Sequence, residues 1–297
     1  MDLLKLIKKA RPNLKENSLN SYLISLKKLN NNEPIENLNY LKDTENIMQQ
    51  INNFKLATQR NKLTAIIVVL CSHDKHEFDE VETFYRKELE DKNKTYNDNI
   101  ALHEKSEKQE ANWTTLESLL KIHRKYKKAA LENPSIKTIQ PYLVSGLFLL
   151  QPPKRLIYSN MKIINNRKDN DGKTNYLLNM GRNKKYFILN SYKTIEKHGK
   201  KEVLIPKDIN TIINMWLKVN DSKDFLLNSR GGELSSNGLG KYISKIFKDT
   251  GKKITINLLR SIYISENINL DVLKKNAEIA DGMNHGVQVQ QSVYLKK

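Results

Sequence analysis

A single cysteine, Cys71, among 297 residues excludes an intramolecular disulfide and a cysteine-based zinc ribbon. The six histidines are scattered and include no H-E-x-x-H pair, which excludes a zincin-type centre. No apolar run approaches the roughly 18 residues needed to span a bilayer. The start, Met1-Asp2-Leu3-Leu4-Lys5, has neither the apolar core nor the cleavage site of a signal peptide. A soluble intracellular protein is therefore expected. There is no G-x-x-x-x-G-K-[ST] phosphate loop, and Gly238-Leu239-Gly240-Lys241 lacks the third glycine of a dinucleotide fingerprint. A clustered acidic set of the kind a two-metal nuclease needs is also missing. Any phosphoryl chemistry falls to side-chain cations, and no cofactor or metal is expected.

Positive charge is what the chain has in excess: 51 Lys+Arg against 33 Asp+Glu, a formal +18. Residues 1–90 carry 14 basic against 13 acidic side chains, so +17 of the surplus lies beyond them. Self-repulsion on that scale costs stability, and a densely anionic partner is its simplest justification. Nucleic acid leads and an anionic membrane follows, against the plainer reading of a composition merely rich in Lys and Asn. A membrane-surface role is the weaker of the two, because the helices lack a basic amphipathic face of sufficient apolarity.

Hydrophobic residues make up only 38% of the chain, yet apolar-periodic stretches persist, which argues against wholesale disorder. Leu19, Tyr22, Leu23, Leu26 and Leu29 follow a helical spacing after Asn17-Ser18, and Asn30 through Pro34 end that helix. A second helix from about Thr58 carries Leu63, Ile66, Ile67 and Leu70 as a stripe, with Cys71 expected to be buried and inert at its end. Residues 91–110 are highly charged and read as a linker or a solvated extension of the preceding helix. Helical period restarts at Trp113, and Ile139 to Leu150 is a buried helix stopped by Pro152-Pro153. Strands are expected at Met161–Ile164, Tyr176–Asn179, Tyr186–Leu189 and Val203–Ile205. Helices return at Ile209–Val219, Asn237–Lys248, Ile256–Glu266 and Val272–Ile279. The fold class is mainly α with a small antiparallel β-sheet, α+β in two domains. Both tryptophans, Trp113 and Trp216, are expected in the core.

Chemistry concentrates in the last forty residues. Asn257 precedes Arg260 by three positions in Ile256-Asn257-Leu258-Leu259-Arg260-Ser261, so both lie on one helix face. Met283-Asn284-His285-Gly286 then leads to Tyr294, nine residues after His285. This order resembles the tyrosine recombinase (phage integrase) family, whose second catalytic block runs H-x-x-R, G-H or similar, then a nucleophilic Tyr nine residues on. The family's first catalytic Arg lies about a hundred residues upstream. Arg155, in Gln151-Pro152-Pro153-Lys154-Arg155, stands 105 residues before Arg260. That P-P-x-R form is similar to integrases of large DNA viruses and mobile elements. Lys193, in Asn190-Ser191-Tyr192-Lys193-Thr194, occupies the place of the family's hairpin lysine.

The resemblance covers nearly the whole chain. It implies a helical core-binding domain over residues 1–92, a charged linker over 93–111 and a catalytic domain over 112–297. It further implies a site-specific DNA recombinase that integrates or excises a mobile or viral genome, cleaving double-stranded DNA as a homotetramer on paired sites. Tyr294 would attack a phosphodiester to give a 3′-phosphotyrosine, storing the bond energy so that neither ATP nor metal is needed. Arg155 and Arg260 would fork onto the non-bridging oxygens, Lys193 would protonate the departing 5′-oxygen, and His285 would hydrogen-bond the phosphate.

Three departures accompany the match. Asn257 replaces the H-x-x-R histidine; it can donate to phosphate but cannot shuttle a proton, and a helix-packing amide is its alternative. Leu156-Ile157-Tyr158 fills the place of an acidic residue that often follows the first Arg, and Lys154 leaves that block's register open by one. Only Leu295-Lys296-Lys297 follow Tyr294, so an exchanged C-terminal helix is not expected unless the chain is truncated. Lys197, Lys200 and Lys201 compete with Lys193 for the lysine role. For Arg260 the structural alternative is a salt bridge, although its apolar helix favours a buried anionic partner. The rival functions are a type IB topoisomerase or telomere resolvase, which share the covalent step, and a non-catalytic DNA-binding relative.

Overall fold

The computed structural model describes residues 1–73 and 76–296, and the chain divides into two compact units, Met1–Lys105 and Ser106–Lys297. The division falls inside the charged 93–111 segment, which is itself helical over most of its length.

Unit 1 is a bundle of α1 (Leu3–Ala10), α2 (Glu16–Leu29), α3 (Thr44–Asn52), α4 (Leu56–Leu70) and α5 (Asp79–Ala101). The expected α2 stripe is present, with Leu19, Leu26 and Leu29 buried. The helix begins one turn before its expected cap, because Lys15 already holds extended backbone geometry there. Asn31 and Asn32 both adopt left-handed backbone, which ends α2, asparagine being one of the few non-glycine residues that tolerate it. The α4 stripe proves too narrow an expectation. Ala65, Val68 and Val69 are buried along with Leu63, Ile66, Ile67 and Leu70, as befits a central helix packed against α1, α2, α3 and α5. Cys71 is exposed rather than buried; it is the C-cap residue just past α4 and turns outward between buried Leu70 and Ser72.

Unit 2 comprises α6 (Glu107–Asn112), α7 (Leu116–Glu132), α8 (Ile136–Leu149), strands β1 (Lys162–Ile164), β2 (Tyr176–Asn179), β3 (Lys185–Leu189) and β4 (Lys201–Leu204), with the short α9 (Ile195–His198) between the last two. There follow α10 (Lys207–Trp216), α11 (Ser236–Ile246), α12 (Ile256–Asn267) and α13 (Leu270–Gly282), then a helical turn Val287–Val289 that runs into a π-helical turn, Gln290–Tyr294. The buried α8 is the hub, with α7 and α10 against it. Trp216 is fully buried and donates its indole N–H to the Phe225 carbonyl at 2.8 Å. Trp113 is partly buried against the same core.

The mainly helical fold with one small sheet is as expected, but the sheet is mixed. β2, β3 and β4 form an antiparallel meander, whereas β1 pairs with β2 in parallel, Lys162 opposite Tyr176. The connection over residues 165–175 is long enough to cross over instead of reversing, which is what a parallel neighbour requires. No helix among the described residues is long and apolar enough to cross a membrane.

Candidate active site: a carboxylate-free basic cleft

A cleft of about 1040 Å³ opens on unit 2, and its wall carries Arg155, Lys173, Lys193, Lys241 and Lys253. No Asp or Glu lines it. Five cations without a carboxylate concentrate positive potential in one concavity, an arrangement that selects an anion.

Local structure explains how each wall residue comes to be there. Arg155 is exposed in the turn after α8. Buried Gln151 donates to the Leu147 carbonyl and to Tyr158 Oη, and fully buried Tyr158 packs edge-on against Phe148 and Phe187. The turn is thus pinned on both sides of the arginine, and its Ser159 Oγ is 2.7 Å from Ser236 Oγ at the start of α11. Lys193 leaves β3 at the mouth of the β3–β4 hairpin, exposed.

Asn175 joins these two segments. Its side-chain amide donates to the Ile157 carbonyl at 3.1 Å and the Ser191 carbonyl at 2.9 Å, and its Oδ1 accepts from Asn190 N–H at 2.9 Å and Ser191 N–H at 2.8 Å. Ile157 lies two residues from Arg155 and Ser191 two from Lys193, so one buried side chain sets the register of both cations. Asp171 orders the next loop by accepting from the N–H groups of Lys173 and Thr174 and from Thr174 Oγ1. Those bonds, the two backbone ones foremost, hold its carboxyl down to about 2, so the loop that presents Lys173 stays locked at ordinary pH.

Two helix N-termini contribute the remaining wall. Ser235 caps α11, accepting from Gly238 N–H, and Thr255 caps α12, accepting from Leu258 N–H. Their first residues, Ser236, Asn237, Ile256 and Asn257, line the cleft, and the partial positive charge of a helix start reinforces the lysines and arginine. Ser244 Oγ donates to the Ile254 carbonyl at 2.7 Å, tying α11 to the approach to α12.

Of the six residues singled out in the sequence, Arg155, Lys193 and Asn257 line this cleft; Arg260, His285 and Tyr294 do not. Arg260 lies three residues beyond Asn257 on α12, half-buried, with no carboxylate partner among the described residues. The expected salt-bridge alternative is therefore not realised within the described chain. His285 and Tyr294 meet each other, their rings stacked with centroids 5.1 Å apart and planes inclined by 17°. The cause is local. Asn284, in left-handed backbone (φ 55°), ends α13 and returns the His285 N–H to the Ala280 carbonyl at 3.0 Å. The turns over Val287–Tyr294 then bring the tyrosine back over the imidazole. Tyr294 is 56% exposed, while His285 Nε2 is buried with no hydrogen-bond partner.

Lys173, Lys241 and Lys253 were not singled out in the sequence, since an isolated lysine in a turn or helix carries no pattern of its own. Lys241 had a signal, the Gly238-Leu239-Gly240-Lys241 run. That run lies within α11, with Gly240 and Lys241 lining the basic cleft, and is not a dinucleotide loop. Lys154, beside Arg155, is half-buried; burial and then Lys201 lower its pKa from the ordinary lysine value.

No protein-family profile and no curated protein sequence is matched by this chain. Among solved structures it is similar to XerA recombinase, with a TM-score of 0.35 and 10% identity over 92% of this chain and 87% of that one. It is also similar to the lambda integrase (residues 75–356) bound to DNA, with a TM-score of 0.43 and 16% identity over 88% and 85% of the two chains. A dimer of the same integrase fragment bound to a COC′ core site gives 0.41 and 15% over 90% and 86%. These values are too low to carry residue roles across.

Proposed function

We propose that unit 2 binds the sugar-phosphate backbone of duplex DNA and breaks and rejoins it. More particularly, we read the chain as a tyrosine recombinase, an integrase-type enzyme acting as a homotetramer on paired sites. The observation that carries the reading is the carboxylate-free cleft, which joins Arg155, Lys193 and Asn257 to two helix starts.

The residues divide the work as follows. The Tyr294 phenolic oxygen bonds to phosphorus while the bond from phosphorus to the 5′-oxygen breaks. The phenol proton leaves to solvent, and Lys193 gives a proton to the departing 5′-oxygen. The two non-bridging oxygens gain charge on the way, and the Arg155 and Arg260 guanidinium groups neutralise it bidentately. Removing one such preorganised donor costs about 3–4 kcal/mol of barrier, roughly a hundred- to a thousandfold in rate. Asn257 donates its amide to the phosphate, and His285, whose Nδ1 lies 3.3 Å from the Gly286 carbonyl, is assigned the same role as an imidazolium that donates from both ring nitrogens, Nδ1 to that carbonyl and Nε2 to the phosphate. The phosphotyrosine conserves the energy of the broken bond, so the strand is resealed by the reverse attack without ATP, and none of these roles asks for a metal.

Unit 1 we assign to DNA binding as well. A second reading, a DNA-binding protein without catalysis, is favoured by one observation: Tyr294 and His285 stack on each other and do not line the cleft. A library of nicked suicide duplexes with randomised flanks decides between the two. The enzyme forms a covalent protein–DNA adduct that survives denaturant and EDTA and is lost in Tyr294→Phe. Binding without any adduct supports the second reading. A two-site recombination assay run beside supercoil relaxation separates a recombinase from a topoisomerase with the same covalent step.

A further inference from the structure

Unit 1 carries a groove of about 340 Å³ between α2 and α4. Asn20, Ser21, Ser25 and Lys28 of α2 face it at helical spacing, opposite Thr58 and Lys62 of α4, and no Asp or Glu lines it. Lys62 is the anomaly. It is only 3% exposed, yet it has no hydrogen-bond acceptor and no carboxylate partner among the described residues. Its ammonium instead lies 4.5 Å from the centroid of the Phe54 ring, and that contact replaces only part of the lost hydration. Burial first, then the nearby Lys28, lowers its pKa from the ordinary lysine value. A buried, unpaired ammonium is costly, and a packed apolar side chain of similar length would avoid that cost. The second lysine and the ring of hydroxyls leave one species that relieves both penalties at once, a small oxyanion.

We propose that this groove is a phosphate-binding site and that its occupant is a backbone phosphate of duplex DNA, paired with Lys62 and Lys28 and hydrogen-bonded by Ser21, Ser25 and Thr58. A free phosphate shares that chemistry. The backbone is the better fit because the groove runs open along two helices, and the exposed Ile24 and Phe54 flank it with apolar surface that suits deoxyribose. The choice of DNA rests on the function proposed above, but on a different unit and on none of its catalytic residues.

The test uses the full chain with isotope-labelled lysines. Duplex DNA and, separately, inorganic phosphate at constant ionic strength are titrated while the Lys62 side-chain resonance is followed. Duplex affinity is then measured against salt for wild type, Lys62→Met and Lys28→Gln. Duplex DNA is expected to shift the Lys62 resonance, and each substitution to lower the slope of log K against log salt by about one, the signature of one lost phosphate contact. Lys62→Met is expected to melt no lower than wild type; should it fail to fold, Lys28→Gln on the exposed rim carries the same measurement. Unchanged slopes with a silent Lys62 resonance overturn the proposal, whatever the cleavage activity. A response to inorganic phosphate alone, with duplex affinity untouched by either substitution, overturns DNA as the occupant. Reduced slopes without any Tyr294 adduct uphold the groove and defeat the recombinase reading instead.

Discussion

Replacing Asn175 by alanine removes four hydrogen bonds at once, two donated and two accepted, and orphans the carbonyls of Ile157 and Ser191 and the N–H groups of Asn190 and Ser191. A neutral bond of this kind is worth about 1 kcal/mol net, and a buried group left unpaired costs about 1–3 kcal/mol. Water entering from the cleft satisfies some of them, so the expected destabilisation is about 3–4 kcal/mol, read as a lower urea midpoint. The functional effect follows from position. The Arg155 turn and the Lys193 hairpin lose their common tie, and a displacement of about 1 Å at reacting groups costs on the order of a hundredfold in rate. The assay is the single-turnover rate of covalent adduct formation at saturating DNA. A substrate with sulfur in place of the bridging 5′-oxygen separates positioning from general damage. Its thiolate leaves without a proton, so the part of the loss that passes through Lys193 is restored. An Asn175→Ala protein with wild-type stability and an adduct rate within about twofold of wild type refutes the clamp.

Other expectations concern the core and the second arginine. His123 is buried, bonded through Nδ1 to Ser145 Oγ at 2.8 Å, and burial ahead of Lys127 and Arg124 holds its pKa down to about 4 from an ordinary 6.5. The neutral ring is the folded form, so stability is full above pH ~6.5 and is lost as pH falls toward 4, where only the unfolded chain takes up the proton. The shift corresponds to about 3 kcal/mol, and urea midpoints of His123→Asn should fall less steeply over that window than those of wild type. Parallel pH profiles would contradict this assignment. Gly146→Ala puts a methyl 2.9 Å from Ile212 Cδ1 and 3.3 Å from His123 Cε1 where α8 meets α10. Overpacking costs about 1–3 kcal/mol against about 1 kcal/mol gained in helix propensity, so the melting temperature should stay level or drop, and a clear rise would show that the contact relaxes. Arg260→Ala should lower adduct formation a hundredfold or more while duplex affinity changes by less than tenfold; equal loss of both marks a structural arginine.

The helices were legible where one face is buried and the period is clean, as for α2 and α7. The unbroken apolar run of α8 was read correctly as a buried helix, whereas for α4 a four-residue stripe under-read the burial, since the second half of that central helix is apolar all round. All four strands appear within about two residues of expectation, but the direction of β1 depends on how the connection over 165–175 crosses, which no local period encodes. Cys71 extends the apolar run of α4 in sequence but is exposed, because it lies one residue past the helix end. At the site, the spacing of His285 and Tyr294 identified a pair that the fold stacks, and Arg155, Lys193 and Asn257 meet in one cleft despite lying up to a hundred residues apart. What the sequence left dark is the rest of the wall, Lys173, Lys241 and Lys253, and the amide that organises it. Asn175 opens a strand like any other asparagine, and its role exists only once two distant segments arrive beside it.

The most direct test of the covalent chemistry is to digest the protein–DNA adduct with protease and nuclease and locate the nucleotide-bearing peptide by mass spectrometry. The mechanism requires a 3′-linked nucleotide phosphate on the phenolic oxygen of Tyr294, with a free 5′-hydroxyl on the released strand. A linkage to any other side chain, or a tyrosine joined to a 5′-phosphate, contradicts it.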